Sequence, residues 1–71
     1  LSTDEQTREA WDTMQDEIRA IVKKGQTAEN LQQVVNLLNA FKTDHPDYTD
    51  LCDKNIKRYE GTLKFIQGAG G

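Results

Sequence analysis

The run Leu51-Cys52-Asp53-Lys54-Asn55-Ile56-Lys57-Arg58-Tyr59-Glu60-Gly61-Thr62-Leu63-Lys64-Phe65-Ile66 decides the fold. Cys52, Ile56, Tyr59, Leu63 and Ile66 recur in steps of four and three. At about 100° per residue they share one narrow stripe of a helix. Tyr48 joins that stripe if the helix starts early enough. A period of two does not fit, since polar residues such as Asp53 and Asn55 interrupt it. One helix cannot bury such a stripe alone, so the rest of the chain must supply the opposite wall.

Upstream, two more segments carry the same period. Thr27 suits an N-cap, with Glu29 in the first turn, and Leu31, Val34, Val35, Leu38 and Phe41 then line one face. This second helix is expected over roughly 28–43, ended by the approach to Pro46, because the residue before proline is pushed out of helical geometry. The first helix is expected at about 3–24. Ser2 with Glu5, and Thr3 with Gln6, fit the capping box. Asp4, Glu5 and Glu9 lie at the positive end of the helix dipole, and Lys23 and Lys24 at the negative end. Trp11, Met14, Ile18, Ile21 and Val22 form its apolar stripe, and Gly25 supplies the left-handed residue that commonly ends a helix.

The short gap between these helices forces them to run antiparallel. The second connection reads Asp44-His45-Pro46-Asp47, where Pro46 suits a first turn and Asp44 or Asp47 a cap. The third helix is expected over 47–67, with Asp47, Asp50 and Asp53 early and Lys54, Lys57, Arg58 and Lys64 later. The expected fold is therefore all-α, an antiparallel up-down-up three-helix bundle over 1–67. Residues 68–71 are expected to form a flexible glycine-rich tail or linker of a domain taken from a longer protein.

Composition removes several function classes. The 71 residues make one small domain, near the lower limit for an unstapled core. A single cysteine allows no internal disulfide, and no Cys/His cluster points to a metal or other cofactor. The formal charge of −3 argues against nucleic acid as main partner, since phosphate binding needs clustered cations. No apolar run approaches the roughly 18 residues of a membrane span, and no signal-peptide pattern is present. The lone cysteine points to an intracellular, cytosolic or nuclear setting.

Catalysis is not expected. The only histidine, His45, falls in a turn and reads as bonded to a nearby carboxylate. The only cysteine, Cys52, falls on the buried stripe, where a nucleophile would be out of reach. Asp44, His45, Asp47 and Asp50 match no calcium-loop spacing. Trp11 reads as core.

The residues that do not fit an inward face are more telling. Leu51, Lys54, Arg58, Gly61 and Phe65 form a second stripe on the third helix, with two cations between two apolar residues. Gly61 is a local conflict, costing about 1 kcal/mol relative to alanine inside a helix. The outer face of the second helix, Gln32, Gln33, Asn36, Asn39 and Ala40, carries no charge, and amides are less costly to desolvate than ions. Leu37 lies on the flank of that helix. Gln33 and Leu37 are expected to border a groove between the second and third helices, opposite Arg58, Gly61 and Phe65.

The run Asp44-His45-Pro46-Asp47-Tyr48-Thr49-Asp50-Leu51 resembles the stretch before the last helix of FF domains, which are small helical peptide-binding modules. The likeness covers about eight residues; the arginine usual before the tyrosine is absent, as is the usual tryptophan before the middle helix. The general plan also resembles the three-helix KIX and GAT adaptor modules, an architectural likeness that does not fix function. The resulting expectation is a non-catalytic protein–protein interaction module. It would bind a short, acidic, amphipathic and helical partner segment through Gln33, Leu37, Leu51, Lys54, Arg58, Gly61 and Phe65. The alternative is a structural domain that packs against its own copy or a neighbouring domain.

Overall fold

The computed structural model describes residues 3–70, with side chains given for 4–68. Three helices pack against one another: α1 (Thr3–Lys24), α2 (Ala28–Asp44) and α3 (Thr49–Gly70). A 3-10 turn, Pro46–Tyr48, joins the last two. The fold is all-α, as the periodicities require. The expected Ser2–Glu5 capping box and the final tail residue Gly71 lie outside the described residues, as does the Thr3 side chain.

Local chemistry explains the element ends. Gly25 takes φ 143°, a conformation that side chains with a Cβ rarely adopt, and its N–H donates to the Val22 carbonyl at 3.1 Å. The Thr27 hydroxyl oxygen accepts from the Asn30 N–H at 3.1 Å, which is the expected cap. Asn30 also donates its side-chain amide to the Gly25 carbonyl at 2.8 Å, closing the three-residue turn.

The second connection differs from expectation. No aspartate side chain caps it; the Tyr48 N–H donates to the His45 carbonyl at 2.9 Å, and the Thr49 hydroxyl donates to the Pro46 carbonyl at 2.7 Å. Pro46 has fixed φ and no N–H to place, so three residues tighten into a 3-10 turn before α3 begins at Thr49 instead of 47. At its other end α3 runs to Gly70, three residues past the expected 67.

The core places α2 at the centre. Leu31, Val34, Val35, Leu38 and Phe41 are buried from α2, against Met14 and Ile18 from α1 and Cys52 and Ile56 from α3. The stripe on α3 therefore buries only its first half fully. Tyr59, Leu63 and Ile66 remain half-buried. α2 packs against both other helices, whereas no Cα of α1 comes within 8 Å of one in α3 among the described residues. One end of the core is aromatic. Trp11 meets Phe41 edge-on with ring centroids 5.3 Å apart, and lies 5.3 Å from Tyr48; Phe41 and Tyr48 are 5.5 Å apart. Trp11 is thus half-buried and packed against the core rather than enclosed in it.

Candidate functional site

Cys52 is buried and His45 half-buried. Cys52 has no exposed surface, and burial pushes its thiol above its ordinary value, with the Asp53 charge acting the same way. The His45 ring lies against Phe41 with centroids 4.5 Å apart, and no described ion pair joins it to a carboxylate. The expected carboxylate bond is corrected: the phenyl ring takes the imidazole because both project from the C-terminal end of α2, four residues apart. No cluster of three or more metal-binding side chains occurs among the described residues, and no described helix is long and apolar enough to cross a membrane.

The residues expected to form one groove fall on separate surfaces. Gln33 and Leu37 line a depression of about 330 Å³ with Glu17, Ile21, Asn36 and Ala40, between α1 and α2. Arg58 lines another of about 410 Å³, between α1 and α3. Gly61 sits in a dent bordered by α3 alone, with Glu60, Leu63 and Lys64. Leu51 and Phe65 are exposed, at 48% and 76%. The groove between α2 and α3 drawn from the sequence is therefore corrected: Gln33 and Leu37 face the opposite flank of α2. What does stand on the outward side of α2 and α3 is an ion pair, Lys42 Nζ to Asp53 Oδ1 at 2.8 Å, which raises the Lys42 pKa through that hydrogen bond.

The physical reason is that a helical period fixes which face is buried, not which neighbour each edge of that face meets. That choice depends on the hand of the bundle. With α1 lying between the two flanks, Gln33 and Leu37 reach neither Arg58 nor Phe65.

The five residues of the second stripe of α3 are all exposed. Leu51, Arg58 and Phe65 lie seven residues apart in turn, so they follow one flank with about 10 Å between successive side chains. Lys54 and Gly61 lie beside them and are exposed. With three-quarters of its surface open, Phe65 contributes little to burial in the free chain. Gly61 is equally open, since a Cβ built there meets nothing within 4 Å. Gly61→Ala is accordingly expected to stabilise the domain by about 1 kcal/mol, raising the melting temperature by roughly 4–8 °C. Thermal unfolding followed by circular dichroism at 222 nm checks this, and a lowered melting temperature would contradict the open geometry.

Sequence reasoning missed the α1 side of the Arg58 depression. Gln15, Arg19 and Lys23 line it from α1, and Asn55 and Tyr59 join Arg58 from α3. The signal was present as a row at four-residue spacing, Gln15-Arg19-Lys23, beside the buried Ile18. Gln15 Nε2 is enclosed and has no hydrogen-bond partner among the described residues. No family model, curated protein or solved structure matches this chain.

Proposed function

We propose that this domain is a non-catalytic protein–protein interaction module that binds a partner segment along the outer flank of α3. The observation that carries the reading is Phe65, an aromatic ring 76% exposed on the same flank as the half-exposed Leu51, with cations between them. Among the described residues nine apolar side chains are buried elsewhere, so leaving the second phenylalanine in water has a cost that a partner would recover. Lys54 and Arg58 favour a partner with acidic residues between its apolar anchors. An amphipathic helix presents that pattern.

Phe65→Asp and Leu51→Asp test this, because both positions are exposed and neither supports the core. Each variant is expected to keep the parent melting temperature within a few degrees while its affinity for the native partner falls about 30-fold or more. Binding measured by calorimetry on the purified pair is the readout. Folded variants that bind as tightly as the parent would remove α3 from the interface.

A second reading is favoured by the charge distribution. The outer face of α1 exposes Glu5, Glu9, Asp12 and Asp16, which complement the cations of α3. Two copies would then associate α1 to α3. Sedimentation equilibrium discriminates: a mass that rises with concentration and falls with added salt supports self-association, while a monomer at all concentrations supports the partner-binding reading.

A further inference from the structure

The docking flank of α3 meets the α1–α3 depression at Arg58, and there its chemistry changes from apolar to cationic. Arg19 and Lys23 enter from the last turns of α1, and no carboxylate lines the depression. Asp16 approaches Arg19 at 3.6 Å, but the two side chains are 75% and 80% exposed, so solvent screens the pair and leaves the guanidinium able to take another acceptor. The negative end of the α1 dipole draws on Lys23, which places the heavier share on Arg19 and Arg58. Gln15 borders the depression with its Nε2 enclosed, so its side chain reports on the site without entering it. Ile18, buried, and Val22, half-buried, line the same depression.

We propose that this depression receives a carboxylate of the partner helix, held by Arg58 and Arg19. The proposal rests on the α3 docking flank and adds to it a specificity-determining subsite. The occupant follows from spacing and charge together. Leu51 and Phe65 flank Arg58 at seven residues on either side, so the matching ligand is a helix with apolar, acidic and apolar residues at seven-residue intervals. Arginine suits such a site because its planar fork can hold a carboxylate through two parallel bonds.

The test is a titration of the isotopically labelled domain with a synthetic amphipathic helix of about five turns, carrying Leu, Glu and Leu at that spacing. The side-chain amide signals of Gln15 are expected to shift together with the backbone signals of Leu51 and Phe65. Replacing the central Glu by Gln in the peptide, or Arg58→Gln or Arg19→Gln in the domain, is expected to weaken binding about ten- to a hundredfold. With the Gln peptide, Arg58→Gln should then have no further effect, the mark of a direct pair. These cations are exposed, so the melting temperature stays unchanged in each variant.

If the peptide binds with Leu51 and Phe65 shifting, but neither Glu→Gln nor Arg58→Gln matters, the subsite is overturned and the docking flank stands. If nothing shifts at millimolar peptide, both are overturned. Inorganic phosphate moving the Gln15 signals as tightly as the peptide does would overturn the carboxylate occupant in favour of a free oxyanion.

Discussion

Leu38→Ala is expected to leave most of the chain unfolded at 25 °C. Leu38 has no exposed surface and sits on the central helix, in one buried cluster with Met14 and Ile18 from α1 and with Cys52 and Ile56 from α3. Truncating a buried leucine removes the transfer energy of three carbons and leaves a cavity that neighbours fill only in part, costing about 2–5 kcal/mol. A single core of this size supplies on the order of 3–5 kcal/mol in total. The two figures are of the same order, so the cooperative urea transition of the parent should shrink to a gradual slope in the variant, followed by far-ultraviolet circular dichroism. Leu37→Ala, one residue away but half-buried on the α1 side, is the control and should keep a clear transition. A Leu38→Ala variant destabilised by less than Leu37→Ala would mean that α2 is not the centre of the core.

Cys52 should react with a thiol reagent about a hundred- to a thousandfold more slowly in the native domain than in urea. Its side chain is fully enclosed, so modification requires opening of the bundle, and the protection equals the opening equilibrium at about 1.4 kcal/mol per tenfold. Burial adds to this by holding the group as a neutral thiol, above its ordinary pKa of 9.0. The sign of the pH effect follows. The folded-state value is raised, so the contribution to stability is complete below the unfolded value and is lost as pH rises through the folded one. Lys42 is shifted in the same direction by its bond to Asp53, so both groups act on the alkaline side. Urea midpoints measured from pH 7 to 11 should fall above about pH 9. Labelling as fast in buffer as in urea would place Cys52 on the surface.

How far the fold could be read beforehand differs from element to element. The stripe Leu31, Val34, Val35, Leu38 and Phe41 is legible from spacing alone, and all five residues are buried. Gly25 and Thr27 end one helix and start the next for reasons that lie within three residues of each. The 3-10 turn at Pro46 was not legible, because an i→i−3 bond from Tyr48 and an aspartate cap are both compatible with the same four residues. The stripe Cys52 to Ile66 predicted a face buried along its whole length. In the structure burial fades after Ile56, since how much of a stripe is covered depends on where the neighbouring helices lie beside it.

The binding surface divides in the same way. The alignment of Leu51, Arg58 and Phe65 follows from the 3.6-residue period, which is a property of one helix and therefore written in the chain, whereas the exposure of Phe65 depends on where the other helices lie. Placement of Gln33 and Leu37 against α1, and the meeting of Gln15, Arg19 and Lys23 with Arg58, are properties of helix pairs. Both hands of a three-helix bundle bury the same apolar stripes and differ only in which flanks face each other. Local sequence thus determined the helices, their ends and their greasy faces, while the packing of α1 alone decided which polar edges became neighbours.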